Sequence, residues 1–221
     1  MTWTNPFRDA GFADAPGCAL AFWQGGENRH EWTPDEESRL RRLKDPQRRA
    51  DLEGSMVLRR ELIGALTQYH PALIELSADA SGAPLLVRPA GYSISISNKE
   101  NWTIVALDGP QMAIGVDVEI VREIDWRTML GMVCGDEERH AFAASLSGED
   151  AEQNFFRMWT IKEAILKATG EGFRAGPKHV RVPEALFGGA ACAQVEAFGS
   201  MFDVWAVQRG QLALSLARKY V

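Results

Sequence analysis

Two short stretches concentrate the residues that can do chemistry. The first is Gly115-Val116-Asp117-Val118-Glu119. Read as a strand, it puts Asp117 and Glu119 on one side, because side chains alternate. Two carboxylates on one face repel unless a cation lies between them. The second stretch is Trp159-Thr160-Ile161-Lys162-Glu163-Ala164-Ile165-Leu166-Lys167. Read as a helix, it puts Glu163 and Lys167 four apart on one face. Taken alone, that pair is a surface ion pair on an amphipathic helix. Taken with the acidic strand, a D-x-E and an E-x-x-x-K can build a magnesium and phosphate site. Magnesium uses one or two protein carboxylates and fills its shell with water and phosphate oxygens.

The elements that must position these residues follow from periodicity. Phe155, Trp159, Ile161, Ile165 and Leu166 form an apolar face, and Gly170 supplies a C-cap after Thr169. Trp159 reads as a core anchor. Earlier, Thr33-Pro34-Asp35-Glu36 is a helix start with a capping box, and Asp45-Pro46 starts another helix that ends at His70-Pro71. Strands are expected at 17–23, 73–76, 92–98, 102–107, 113–120, 180–182, 202–207 and 212–216, with a turn-rich link over 78–84. Helices are expected at 125–132 and 136–146. Helices followed by runs of strands make this α+β. Arg60-Glu61-Leu62-Ile63 faintly echoes Lys162-Glu163-Ala164-Ile165.

GVDVE followed by WTIKEAILK resembles the signature pair of the 4′-phosphopantetheinyl transferases of the surfactin-synthetase type. That family reads (V/I)G(V/I)D(V/I)E and then W-x-x-K-E-(A/S)-x-x-K. The resemblance runs from about Leu43 to Val182 and is strongest between Ile94 and Phe173. It implies two similar α+β lobes related by a pseudo-twofold, an N-terminal one over 1–110 and a C-terminal one over 111–221 carrying the metal motifs. Coenzyme A would lie between them. The implied reaction moves 4′-phosphopantetheine from coenzyme A to a serine of an apo acyl or peptidyl carrier protein, releasing 3′,5′-ADP. Asp117, Glu119 and Glu163 would hold magnesium, and Asp117, Glu163 and Lys167 would be catalytic. Lys167 would contact phosphate, with Lys162 beside it at a matching position. The base for the serine proton is either Glu163 or a metal-bound water.

The same resemblance assigns further coenzyme A contacts and shows two departures. Ser97 matches a phosphate-contacting serine, and Trp102 an aromatic position. Asn98 stands where the family has histidine, and an amide can donate to phosphate but carries no charge. Gly82-Ala83-Pro84 stands where the family has G-K-P, so a lysine is missing; Arg88 is a candidate replacement. Arg39, Arg41, Arg42, Lys44, Arg48 and Arg49 put six cations into eleven residues. Arg48 and Arg49 match the family's cluster for the 3′-phosphate, whereas the plain reading is a solvated helix face. Gly170 and Gly172 match a G-x-G that stops the helix. Residues 121–135 are either an amphipathic core helix or a carrier-docking segment.

Composition bounds the rest. The 221 residues carry a net charge of −6, which argues against a nucleic-acid binder. Cys18, Cys134 and Cys192 are scattered with no C-x-x-C, which suits free thiols in a reducing compartment. No signal peptide or membrane span is visible, so a cytoplasmic monomer is expected. His30, His70, His140 and His179 show no metal-ligand spacing, and there is no P-loop or dinucleotide fingerprint. The rival reading is a degenerate relative that binds a carrier protein or a coenzyme A fragment without catalysis.

Overall fold

The computed structural model describes residues 2–25, 31–145, 150–187 and 189–221. His30 and Leu146, the expected end of a helix, lie outside them. The chain begins with β1 (Trp3–Thr4), α1 (Pro6–Asp9), β2 (Gly17–Phe22), α2 (Pro34–Arg42) and α3 (Pro46–Thr67). A small hairpin follows, β3 (Glu75–Ala78) and β4 (Pro84–Arg88), then β5 (Ser93–Lys99), β6 (Trp102–Asp108) and β7 (Met112–Ile120). The remaining elements are α4 (Trp126–Val133), α5 (Asp136–Ser145), α6 (Ala151–Thr169), α7 (Glu184–Phe187), β8 (Cys192–Ala197), β9 (Ser200–Arg209) and β10 (Leu212–Tyr220). The fold is α+β. No helix among the described residues is long and apolar enough to cross a membrane.

Connectivity repeats between the halves. One sheet has the order β1-β2-β6-β5 and the other β7-β10-β9-β8. In each, a strand leads through a long helix to two further strands, and the last of these inserts between the other two, antiparallel to both. That describes β2-α3-β5-β6 and also β7-α6-β9-β10. The long helix packs on its own sheet each time. The echo between the two helices is matched by a buried ion pair in each half. Arg60 reaches Glu36 at 2.8 Å, and Lys162 reaches Glu138 at 2.7 Å, each pair 24 residues apart. The link near Pro110 is the turn between β6 and β7.

Several local expectations are met in detail. Thr33 and Glu36 form a reciprocal capping box, and Asp45 caps α3 through the backbone amides of Gln47 and Arg48. Gly170 ends α6 at φ 78°, the left-handed region that favours glycine. Trp159 is partly buried and stacks on Phe155 at 6.5 Å.

Others are corrected. Residues 180–182 are not a strand. The carbonyl of Val180 accepts from Lys162, and the amide of Val182 donates to Glu138 Oε1 at 2.9 Å. Their backbone groups serve a buried ion pair, so they are not free for a ladder. A 3₁₀ turn occupies Pro71–Leu73, delaying the next strand to Glu75. The 84–88 stretch is a strand, hidden in the sequence because Leu85 and Val87 are exposed while Leu86 is buried, which erases alternation. The edge strand β8 was likewise unmarked, with only Val195 and Ala197 buried.

The contact that decides the fold around the acidic strand is β7 against α6. Val116 and Val118 of β7 face Ile104, Ala106 and Leu20 of the first half in one core. Gly115 faces α6. A Cβ there would stand 1.9 Å from the Ala164 carbonyl oxygen and 2.6 Å from the Ala168 amide nitrogen. Neither atom can move without moving the helix backbone. Overpacking of this kind costs roughly 1–3 kcal/mol or more. Gly115→Ala is therefore expected to lower the midpoint of urea unfolding and to dislodge α6 from Asp117. An unchanged midpoint would show that the helix has room to retreat.

Candidate active site

Asp117 sits near the middle of β7, 5% exposed, on the face that Gly115 opens to α6. Its Oδ1 accepts from Lys167 Nζ at 2.8 Å and from Ser97 Oγ at 2.8 Å. Lys167 Nζ also donates to the Val116 carbonyl at 3.0 Å. The other carboxylate oxygen, Oδ2, is buried with no hydrogen-bond partner. Burial pushes the Asp117 carboxyl up, against the opposing pull of Lys167 and Ser97.

Glu119, two residues on, is held by Lys99 Nζ at 2.6 Å and by Arg122 at 3.5 Å. Glu163, one turn before Lys167, has no hydrogen bond or ion pair among the described residues. Burial raises its carboxyl to about 7, and the charges of Asp117 and Glu119 add to this while Lys167 opposes it. The helix and strand therefore bring Asp117, Glu119, Glu163 and Lys167 into one electrostatic unit. Lys167 pairs with Asp117, and Lys99 and Arg122 both pair with Glu119, which leaves Glu163 without an ion-pair partner of its own among the described residues.

A row of serines joins this strand to the other half. Ser93 Oγ donates to the Met112 carbonyl, Ser95 Oγ accepts from the Val116 amide at 3.0 Å, and Ser97 holds Asp117. The alternation of Ser93, Ser95 and Ser97 thus marks a joint between β5 and β7. The resemblance assigns Ser97 to phosphate; here its hydroxyl donates to Asp117. Lys99 continues the same face of β5 and was not among the expected site residues. Its signal was available: two residues after Ser97 on one strand, it lands opposite Glu119.

Lys162 is a correction. It is 0% exposed, and its ammonium donates to Glu138 Oε2 at 2.7 Å, to the Pro177 carbonyl at 3.1 Å and to the Val180 carbonyl. Its donors are spent inside the core, so it does not face a ligand. Asn98 is exposed, and its side-chain oxygen accepts from Thr103 at 3.0 Å. Arg48 and Arg49 lie in the exposed first turn of α3, where Arg49 pairs with Glu53 at 3.2 Å. Arg88 is held by Glu75 at 3.4 Å.

A cleft of about 300 Å³ opens beside Lys167, walled by Gly82–Pro84, Ile94–Ile96 and Gly170–Gly172. The turn bearing Ala83 is docked on the end of α6. Ser81 Oγ donates to the Gly170 carbonyl at 2.9 Å, and Arg174 donates to the Ser81 carbonyl at 3.1 Å. A larger recess of about 890 Å³, lined by Phe22, Trp23, Glu61, Trp102 and Arg209, holds the matched aromatic Trp102 but none of Ser97, Asp117, Glu119, Glu163 and Lys167. In α4, Trp126, Leu130 and Val133 are core, while Met132 is 57% exposed. His70, His140 and His179 serve local contacts with Ala72, Asp136 and Phe198.

The donor set fits a divalent cation. Asp117 Oδ2 lacks a partner, Glu163 carries an uncompensated carboxyl, and both are hard oxygen donors of the kind magnesium takes. Among the described residues no three His, Cys, Asp or Glu side chains are gathered tightly enough to form a finished metal site. Lys167 and Lys99 stand against two of the three carboxylates instead.

The Glu163 shift has a consequence for stability. Its folded value of about 7 lies above the ordinary 4.5, so folding favours the protonated form. The penalty is absent below about pH 4.5, grows through the interval and is complete above 7. Glu163→Gln cannot ionise and escapes it. Solvent screens a partly exposed carboxyl, so the gain is modest. With chelator present, the variant should melt roughly 2–4 °C above the parent at pH 8 and together with it near pH 4. A variant that melts lower at pH 8 would mean that Glu163 is already paired with a cation.

Comparison with known proteins finds a similarity over the second half of the chain. Residues 113–217 match the model of the 4′-phosphopantetheinyl transferase superfamily. The 4′-phosphopantetheinyl transferase HetI of Nostoc sp. is 28% identical over 141 residues, covering 62% of this chain and 59% of that protein. The transferase psf-1 of Bacillus pumilus is 27% identical, covering 54% of this chain and 50% of its own. The transferase ffp of Bacillus subtilis is 31% identical, covering 52% and 50%. The chain thus spans between half and three-fifths of the length of these relatives. The segment that carries the carboxylates and Lys167 is thus similar to the 4′-phosphopantetheinyl transferase superfamily.

Proposed function

We propose that this chain transfers 4′-phosphopantetheine from coenzyme A to a serine hydroxyl of an apo carrier protein. The observation that carries the reading is the buried, unpartnered Asp117 Oδ2, on a carboxylate that Lys167 holds by its other oxygen and whose charge acts on Glu163, in the segment that matches the family. The relatives named above support it by what they are called. In this reading the serine oxygen bonds to the pantetheine-side phosphorus of the pyrophosphate. The bond from that phosphorus to the bridging oxygen breaks, and 3′,5′-ADP leaves. Phosphoryl transfer depends on positioning and charge neutralisation. Asp117, Glu119 and Glu163 would hold magnesium, which neutralises charge on the pyrophosphate when bound. Lys167 fixes Asp117 and presents its ammonium to the cleft, where phosphate would lie. Either Glu163 or a water held by the cation would accept the serine proton. The same proposal makes the protein a cytoplasmic monomer.

A second reading keeps binding without catalysis. It is favoured by Asn98, which is uncharged and bonded to Thr103, and by Ala83 in the cleft wall.

Incubation with coenzyme A, magnesium and a panel of apo carriers, followed by intact mass, tests the first reading. One carrier should gain a phosphopantetheine, and Asp117→Asn should abolish the gain while melting normally. A folded parent that binds coenzyme A yet modifies no carrier would favour the second. A kinetic prediction follows from the two departures. A charge-assisted contact is worth about 1.5–3 kcal/mol, or roughly ten- to a hundred-fold in affinity. Asn98→His with Ala83→Lys should lower KM for coenzyme A by about that factor and change kcat less. Equal dissociation constants by calorimetry would show that other cations already supply the charge.

A further inference from the structure

The two site lysines hold their carboxylates in different ways. Lys167 is fixed twice, donating to the Val116 carbonyl at 3.0 Å and to Asp117 Oδ1 at 2.8 Å, and it leaves Asp117 Oδ2 open. Lys99 is fixed once. Its ammonium lies 2.6 Å from Glu119 Oε2 and makes no other hydrogen bond or ion pair among the described residues. Arg122 reaches the same oxygen, but at 3.5 Å and from a side chain 49% exposed. It is anchored elsewhere, donating to the Ile120 carbonyl at 3.1 Å and lying over the Phe156 ring at 5.0 Å. Glu119 therefore depends chiefly on Lys99. The backbone beneath Lys99 is pinned. Lys99 ends β5 and pairs with Trp102 across the turn at Glu100 and Asn101. Two residues earlier, Ser97 is tied to Asp117. Release of Glu119 is thus a rotation of the four-carbon stem, which in lysine is flexible. The pair is only partly buried, so water is at hand to hydrate a released ammonium.

This arrangement sets two cations against one carboxylate. At Asp117 there is no conflict, because Lys167 uses one oxygen and the other stays open. At Glu119 an ammonium in contact would repel any divalent cation brought to the same group. We propose that Lys99 competes with the divalent cation for Glu119. The lysine holds the carboxylate in place before a cation arrives, releases it on cation entry, and through this exchange sets the affinity of the site. Linkage makes the effect reciprocal, so whatever Lys99 gains from Glu119 is subtracted from cation binding. The proposal rests on the reading that Asp117, Glu119 and Glu163 take a divalent cation. It does not require the transfer reaction.

Manganese titration of the full chain, stripped with chelator and held at fixed pH and ionic strength, tests it, with the free ion counted by electron paramagnetic resonance. Manganese takes the same carboxylate and water ligands as magnesium. Lys99→Met keeps the stem and removes the charge. It should bind manganese roughly ten- to a hundred-fold more tightly than the parent, whereas Lys99→Arg should stay near the parent. Unchanged affinity in Lys99→Met overturns the proposal. Loss of a nearby charge also tightens binding through its field alone, so the change is repeated without the carboxylate. In Glu119→Gln, adding Lys99→Met should bring little further gain. A gain as large as in the parent overturns the exchange, because the lysine then acts at a distance. Asp117→Asn separates the failure of this proposal from the failure of the cation site. It should abolish manganese binding whatever Lys99 does. Binding that survives unchanged in Asp117→Asn, or no binding by any of these proteins, removes the cation site and the proposal with it.

Discussion

The absence of one methyl group governs this structure. At Gly115 the backbone of α6 comes so near β7 that a Cβ would lie 1.9 Å from a carbonyl oxygen. That approach lets a side chain as short as aspartate touch Lys167 at 2.8 Å, and brings Glu163 within the field of two carboxylates. A helix set further out would leave Asp117 buried and alone, and burial of a lone carboxylate is prohibitive. The opposite edge of β7 is fixed just as firmly by the β5 serines, whose hydroxyls meet an amide, a carbonyl and Asp117 itself. The acidic strand is clamped from both sides, so its charges are held before any ligand arrives. Preorganised charge of this kind requires little rearrangement during reaction.

The two halves use one connectivity for different ends. Each places a strand, a long helix and a returning pair of strands in the same order, and each ties its helix to a preceding one through a buried ion pair. Beyond that they diverge. Position 61 and position 163 are both glutamate, yet the strand face beside α3 offers Ala19 and Ala21 where β7 offers Asp117 and Glu119. The first half is a platform that contributes serines and Lys99. The second carries the acids.

Much of the site was legible in the sequence because it depends on local period. Two-residue alternation put Asp117 with Glu119, and four-residue spacing put Glu163 with Lys167. Both follow from backbone geometry whatever the tertiary contacts. Lys162 was not legible in the same way. Its neighbours resemble a site, and its true partner, Glu138, lies 24 residues away on another helix. The same buried pair draws in the backbone of Val180 and Val182, which is why a β-branched run there forms no strand. The hairpin strand β4 escaped for the opposite reason: Leu85 and Val87 are apolar yet exposed, so hydrophobicity and burial part company.

The serine joint bears on how such a chain could arise. Two identical chains packed edge to edge must present one sequence at every copy of the contact. A strand in such an assembly would have to serve as both clamp and acid carrier. Joining two copies into a single polypeptide removes that constraint. One copy can keep hydroxyls and drop carboxylates, the other the reverse, and each loss is tolerated because its counterpart retains the function. The turn at Asp108–Gln111 is then more than a connector. It keeps two specialised halves at fixed stoichiometry, and mutations in one can be selected for their effect on the other.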